Sequence, residues 1–449
     1  MFLENDRFGK GASTMKRIFA ASCLLVFFLF GASPVIAGGI ENKPNFSAEW
    51  VRTLNRNAAF DSADCVVYNP AGTSRMSEGL YVNLSGQYAM KEYSNSLGGT
   101  TYESDIPDMV PGLFALYRKD RWSLFGAFTI PVGGGKVEFD RGSVTSLMLA
   151  RGFQASANAA IDANPAVPGT PPKTAFYPTK SAFYYDSINH YIEGESYYYG
   201  VTLGGSYALS DVVSISMGVR YADAQISREG YARISGSPVA DPKTAFLDYE
   251  ETDSGLCGIV GLNISPNDRL NIGLRYESKT KINLETDVKK DDLGLLVNGA
   301  TRRRDIPALF GAGISYQLTR RLRAETNLTY YFNKQAEWDD VPITAQNETD
   351  RDNGYDLGIA FEYECTPRFK WSAGYMYTET KIHPDNMSIE APELDGHSVG
   401  GGVAWTPDDR WAFNAGLLRT FYKDETTSTG IKLEKSLWIL ALGVQYKFF

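Results

Sequence analysis

The chain has 449 residues, 13% of them aromatic, with 43 glycines, 27 tyrosines, only three histidines and a formal charge of −9. An acidic balance excludes nucleic acid as a partner, because phosphate binding needs a basic face. A soluble chain of this length would divide into two or three domains, but this composition fits many short strands punctuated by glycine and aromatics instead.

The N-terminus reads as an address. Lys16 and Arg17 precede the apolar run "IFAASCLLVFFLF", and "SPVIA" ends on the small residue Ala37. That order of basic region, apolar region and cleavage site predicts an export signal over residues 1–37. Met15 is a candidate for the true start. The run is too short for an ordinary spanning helix, and no second apolar run follows, so membrane insertion must use strands. Cys23 lies early in the apolar run and not after it, which argues against a lipidated cysteine. Cys65, Cys257 and Cys365 remain, an odd and widely spaced set that reads as independent thiols.

Residues 38–77 precede the first sustained alternation. "EWVRTLNRNAAFDSADCVVYNPAG" mixes a short helical pattern with turn residues, and Asn69, Pro70, Ala71 and Gly72 are turn chemistry. Trp50, Leu54, Phe60, Val66, Val67 and Tyr68 make the segment too apolar for a disordered tail.

From about residue 78 the chain alternates between two faces. "RLRAETNLTYYF" sets Leu322, Ala324, Leu328 and Tyr330 against Arg323, Glu325, Asn327 and Thr329. "YDLGIAFEYE" and "FKWSAGYMY" repeat the pattern. The last strand, "SLWILALGVQYKFF", puts Trp438, Leu440, Leu442, Val444, Tyr446 and Phe448 on one face. Fourteen such strands are predicted, at about 78–92, 111–119, 121–131, 193–208, 212–225, 247–265, 269–283, 305–318, 321–333, 354–365, 368–379, 394–406, 409–422 and 435–448. Every second connection is tight ("RKDR", "LSDV", "SPNDR", "LTRR", "CTPR", "TPDDR"), and the intervening ones are long, the longest over residues 132–192. Short turns at one end and long loops at the other are the asymmetry of an outer-membrane barrel, and a soluble sandwich has no reason to sort its loops. Trp122, Trp371, Trp405 and Trp411 near the tight turns predict an aromatic girdle. The fold class is therefore all-β, a 14-stranded antiparallel transmembrane β-barrel spanning residues 78–449, with residues 38–77 as an N-terminal plug in its bore. A lipid-facing charge costs roughly 2–4 kcal/mol at the midplane. Leu328→Arg is thus expected to impair assembly and Asn327→Arg to be tolerated.

Arg56, Ala58, Ala59, Asp61, Ala63 and Asp64, then "NPAG" at 69–72 and Gly79 opening the first strand, resemble the FadL/TodX family of outer-membrane transporters for long-chain fatty acids and other hydrophobic compounds. The resemblance is sharp over about residues 50–90. It departs at Thr73, where an apolar residue usually follows, and at Cys65. It implies a hatch whose motif is Asn69, Pro70, Ala71 and Gly72, passive uptake without a cofactor, and lateral exit beside a kinked third strand. The corresponding stretch here is "WSLFGAFTIPVGGGK", giving Phe128, Pro131, Gly133, Gly134 and Gly135 as the gate region. Pro131 removes a ladder donor and the glycines weaken pairing, although the same residues could simply begin the long loop. In that loop "SVTSLMLARGFQASANAA" reads as a helix, with Leu147, Met148 and Phe153 as a ligand groove or as packing of the loop on itself. The aromatic C-terminus resembles the signal read by the barrel-assembly machinery. Outer-membrane lipid and lipopolysaccharide are the remaining expected partners, and the chain is expected to act as a monomer.

Other constellations carry less. "GGGK" at 133–136 lacks phosphate-loop spacing. His383, Asp385 and His397 lack a third close metal ligand, and no metal is expected. Asp350, Asp352 and Gly354 fail as a calcium loop because Phe361 holds the twelfth position. "TRRRD" at 301–305 reads as a solvated rim or a contact for lipopolysaccharide phosphates. A diffusion porin is the alternative function. A lipid hydrolase is a weaker one, since His397 and Ser398 are adjacent and must point to opposite faces. No enzyme activity is expected.

Overall fold

The computed structural model describes residues 45–163, 183–236, 241–341, 343 and 349–449. The predicted export signal, the first residues of the plug and the Pro-rich part of the longest loop lie outside them.

Fourteen antiparallel strands form one closed wall. They are β1 (Gly79–Leu97), β2 (Asp108–Lys119), β3 (Trp122–Phe139), β4 (Tyr185–Ala208), β5 (Val213–Gly236), β6 (Lys243–Asn267) and β7 (Leu270–Glu277). Then follow β8 (Leu309–Gln317), β9 (Leu322–Tyr331), β10 (Gly354–Thr366), β11 (Phe369–Glu379), β12 (Gly396–Trp405), β13 (Trp411–Tyr422) and β14 (Lys432–Lys447). Each pairs with its chain neighbours, and β1 closes on β14 from Tyr81↔Lys447 to Ser96↔Lys432. Closure leaves no edge, so every wall amide at lipid depth can find a partner.

The alternation seen in the sequence decides which side chains meet lipid. On β10, Leu357, Ile359 and Phe361 are exposed while Asp356 and Glu362 are buried inside. On β5, Ile215, Met217, Val219 and Tyr221 form the lipid face. Aromatic rings ring the tight-turn end. Trp411 contacts Phe413 and Tyr446, Trp405 stacks on Phe413, and Tyr117 meets both Trp122 and Phe449.

Three features depart from the sequence reading, the first being that β3 runs on to Phe139 and β4 begins at Tyr185, both inside the loop expected over 132–192. β4, β5 and β6 run to 24, 24 and 25 residues, so most of the expected loop over 226–246 continues the two strands. Above Tyr221 the outward positions of β5 turn polar (Asp223, Gln225, Ser227, Glu229), so hydropathy no longer marks a strand that has left the lipid. Likewise, much of the connection between β7 and β8 is strand. Its segments Asn283–Asp291 and Thr301–Arg303 pair with each other, and the first also pairs with β6. The long outer loop carries the expected helix, α3 (Val144–Ala163), numbered after two short helices inside the bore, α1 (Ala48–Thr53) and α2 (Cys65–Tyr68).

Candidate functional site: the occluded bore and the bulge in its wall

Residues 45–77 lie inside the barrel. Ser47 caps α1 by accepting from Trp50 N at 3.1 Å, and it donates to Asp64 at 2.7 Å. Asp64 in turn receives Arg56 through both Nε (3.1 Å) and Nη2 (2.6 Å), while Arg56 Nη1 lies 2.8 Å from Asp61. The charged residues of the family-like string thus pair with one another and hold the segment's own shape. Desolvation opposes the charge on Asp61, but Arg56 and Arg323 hold its carboxyl well below the usual range.

The NPAG turn docks the segment to the wall. Asn69 N donates to Cys65 O and ends α2, and Pro70 then opens a 3₁₀ turn over Pro70–Arg75. Asn69 Nδ2 reaches Ala59 O at 3.0 Å and Asn263 of β6 at 2.7 Å. Gly72 has to be glycine, because a Cβ there would sit 2.4 Å from Asn69 Nδ2 and 2.9 Å from Ala59 O. Ala71 O accepts from Ser214 of β5 at 2.8 Å. The unusual Thr73 is explained by a closed triangle of hydroxyls, 2.7 Å from Ser123 of β3 and 2.8 Å from Ser206 of β4. An apolar side chain would leave two buried serines short of a partner.

Elsewhere the wall grips the segment from many directions. Glu49 accepts from Ser62, Asn83 of β1 and Asn414 of β13. Arg52 reaches Asn414, Glu362 and Ser372. Asn57 and Ala58 meet Asn327, Thr329 and Glu325 of β9, and Gln445 of β14 accepts from Ala63 N at 2.6 Å. Burial, followed by the nearby Asp64, pushes the Glu49 carboxyl up to about 7. The sequence did not foretell a collar of lumen-facing glycines that lets this backbone touch the wall. A Cβ on Gly273, Gly313 or Gly374 would lie 2.0 Å from Asn57 O, 2.5 Å from Ala58 N or 2.0 Å from Thr53 O.

Above this floor the ladder of β3 is interrupted, although it stays paired with β4 as far as Phe139↔Ile192. Its pairing with β2 ends at Leu113↔Phe128, and its register with β4 shifts between Thr129 and Val132 and again between Val132 and Gly135. Pro131 lies between the two irregularities without an amide to donate. Gly133 and Gly135 take φ of 124° and 73°, which other residues rarely adopt. Residues 129–133 are all buried, so the strand bows inward. Lys91 of β1 and Asp108 of β2 form a buried ion pair against the bow, and Lys91 also donates to Gly134 O at 2.6 Å. Phe128, Tyr199 and Tyr197 form a stacked aromatic ladder across β3 and β4, with Tyr197 buried against Val110 of β2. The bowed residues Val132–Gly135 line a cavity of about 140 Å³, with Tyr93, Phe139, Tyr198, Ile226, Arg228 and Arg302 among its other walls.

The three residues expected to line a loop groove are not brought together. Leu147 packs on the cluster around Phe139 and Val144, Phe153 packs on the cluster of Tyr185 and Ile234, and Met148 points to solvent. "TRRRD" is no solvated rim either. Arg302 turns inward onto Glu251 at 2.5 and 2.6 Å, Arg303 pairs with Asp305 and Glu337, and Arg304 lies 3.7 Å over the Trp338 ring. These roles were hidden because a run of arginines looks the same whether it meets water or carboxylates. Among the described residues no three His, Cys, Asp or Glu side chains converge to hold a metal. His397 contacts Tyr375 and Ser398 contacts Thr420, on opposite faces of β12. Among the described residues Cys65, Cys257 and Cys365 are free thiols.

A family model described as "Outer membrane protein transport protein (OMPP1/FadL/TodX)" matches residues 196–448, a span that excludes the motif-bearing inner segment. Comparison with curated protein sequences returns no match. Among solved structures, a Pseudomonas aeruginosa FadL homologue is similar at 16% identity over 90% of this chain and 98% of that one, with a TM-score of 0.66. The Ralstonia pickettii toluene transporter TbuX is similar at 15% identity over 90% and 98%, with a TM-score of 0.61. The P. putida toluene transporter TodX follows at 12% identity over 86% and 94%, with a TM-score of 0.59.

Proposed function

The chain belongs to the OMPP1/FadL/TodX family of outer-membrane transport proteins, and on that premise we propose that it carries long-chain fatty acids or other hydrophobic compounds passively into the cell, releasing them sideways through the wall at β3. The observation that carries this reading is the pairing of a filled floor with a bowed strand. The bore is closed by residues 45–77, while the wall ladder is interrupted next to a partly apolar cavity. The similar structures named as toluene transporters keep aromatic hydrocarbons among the candidate cargoes.

Physical logic favours that exit for greasy cargo. Each methylene kept out of water is worth about 0.8 kcal/mol, so a wet axial pore offers an acyl chain no downhill path. A cavity that opens toward lipid does. The inward bow of Phe128–Gly135 makes room at the wall, and the half-buried rings of Phe128 and Tyr199 flank it.

A variant in which residues 131–135 become an alternating Val-Thr-Val-Ser-Val strand tests the route. It should still give a heat-modifiable barrel and should lose most uptake of a labelled hydrophobic compound into proteoliposomes. Unchanged uptake through a straightened β3 defeats the lateral route.

A further inference from the structure

One guanidinium faces outward from the lipid side of the wall. On β13 the outward positions run from Trp411 through Phe413, Ala415 and Leu417 to Arg419 and Phe421, while Asn414, Leu418 and Thr420 are buried inside. Register sets Arg419 in a row with Val399 of β12, Trp438 of β14 and Met90 of β1. The row beneath it is Gly401, Leu417, Leu440 and Tyr88, and the row above is His397, Phe421, Ser436 and Glu92. Higher still, Glu434 stands opposite Ser94 and Lys432 opposite Ser96. Outward hydropathy therefore ends at the level of Arg419. Trp411, in the girdle at the tight-turn end, lies eight residues below it, roughly 26 Å along the strand. At an ordinary barrel tilt that is about 20 Å of height, close to the top of an apolar band about 25 Å tall.

The side chain is held in place at that level. Its guanidinium carbon lies 5.0 Å from the centre of the Trp438 ring and 5.4 Å from that of Phe421, and Nη1 donates to Ser436 Oγ at 3.0 Å. Aromatic rings attract a guanidinium through their faces, which restrains it while its remaining N–H donors stay free. Among the described residues no carboxylate comes within ion-pair distance of Arg419. Glu92 is two strands away in the next row, and Glu434 is paired with Lys432. His397 stands diagonally across from Arg419 on β12, with Nδ1 2.7 Å from Tyr375 OH, so its Nε2 is a second ring nitrogen on this face.

Position and chemistry together say what meets it. A permanently charged fork of N–H donors, fixed at the boundary between hydrocarbon and headgroups, matches the oxygens of a phosphate ester. The long loops mark this end as the outer one, and the phosphates of the outer leaflet are those of lipid A. The far side of the barrel is built the other way. There the outward positions of β5 above Tyr221 are Asp223, Gln225, Ser227 and Glu229, whose carboxylates repel the same anion.

We propose that Arg419, seated against Trp438 and Phe421, binds one phosphate of lipid A, so that the outer flank of β12–β14 carries an ordered lipopolysaccharide molecule. The acyl chains lie down the apolar rows below, over Leu417, Leu440 and Tyr88. The contact is not where the arginine run suggested it. "TRRRD" is spent on ion pairs and a ring contact within the protein, and a single arginine among aromatic residues takes that part. The assignment depends neither on the cargo nor on its route.

Native mass spectrometry of the purified, delipidated protein in detergent tests it. The three probes are bisphosphorylated lipid A, the same lipid A stripped of its phosphates, and phosphatidylglycerol. The unaltered protein should hold bisphosphorylated lipid A at least fivefold more tightly than either of the others. Arg419→Gln should erase that preference. Lys423→Gln, which removes an exposed charge already paired with Glu425, should keep it, with heat modifiability as the check on assembly. Equal retention of phosphorylated and stripped lipid A by the unaltered protein overturns the site whether or not the variants assemble. A preference that survives Arg419→Gln, or falls equally in both variants, overturns it too, because the phosphate then sits elsewhere or answers only to diffuse charge. Phosphatidylglycerol held as firmly as lipid A overturns the assignment to lipid A in favour of any lipid phosphate at the boundary.

Discussion

Single residues decide whether the bore stays closed, and the reason is how little space separates the inner backbone from the wall. At Gly374 a new Cβ would meet Thr53 O at 2.0 Å, and neither backbone can yield easily. Gly374→Val should therefore assemble as a barrel whose inner segment is displaced, and planar-bilayer recordings should show stepwise ion conductance that the unaltered protein lacks. Glu49 acts through charge. Its carboxyl is raised from an ordinary 4.5 to about 7, so the folded state disfavours ionisation. The associated stability is fully present below 4.5 and is lost as pH rises through 7. Linkage puts that loss at roughly 3 kcal/mol for a shift of this size. Protease protection of residues 45–77 should weaken between pH 5 and pH 8, and Glu49→Gln, which retains an acceptor for Ser62, Asn83 and Asn414, should flatten the dependence. At this scale the sequence was half legible. NPAG announced a turn and a family. Gly273, Gly313 and Gly374 announced nothing, since a glycine in a strand reads the same whether or not another backbone touches it.

Strands were the most legible elements, because lipid enforces a strict period of two and leaves charged residues on one side only. All fourteen expected strands are present. The reading ran out where lipid ends. The upper halves of β4–β6 keep their pairing but lose the apolar face that made them visible, and Asn283–Asp291 was hidden for the same reason. α3 was visible as a helix, but its periodicity did not say which neighbours each side would meet, so Leu147, Met148 and Phe153 separate. β9 shows how an element's two faces differ in tolerance. Leu328→Arg should still cut the yield of heat-modifiable barrel sharply. Asn327→Arg, expected from the alternation alone to be tolerated, should now fail as well or expel the segment. Asn327 accepts from Asn57 N at 2.6 Å, and a guanidinium has no room at that level. Equal, normal yields and unchanged closure for the Asn327 variant would show that the inner segment is looser than its contacts imply.

The whole molecule works as a closed floor, a bowed wall and a tall outer rim. Removing residues 38–77 should convert it from an electrically silent protein into an ion-conducting pore, whereas a diffusion porin would conduct before the deletion. The rim is asymmetric. β4, β5 and β6 rise beyond the band that ends at Tyr221, and the register sets the bow of β3 beside Tyr198 and Ser196, opposite Ala224 and Ile226, at the top of that band and in the wall of the larger cavity. The proposed route thus takes cargo from the aqueous side at the rim and returns it to lipid through the wall at β3. Loop residues Trp338, Ile343, Glu390 and Glu393 complete the wall of that cavity. Their exact sequence was the least legible part of the chain, because no repeating solvent boundary disciplines it.

The glycine collar also constrains the order of biogenesis. A segment whose main chain abuts strands from β7 to β13 cannot be threaded in after the seam between β1 and β14 has zipped, as no gap wide enough remains. The leading residues must be cradled first and the staves drawn around them, like hoops tightened on a cask already holding its stopper. In a refolding time course, proteolytic shielding of residues 45–77 should arise no later than heat resistance of the barrel, and a lag in that shielding would reverse the sequence of events.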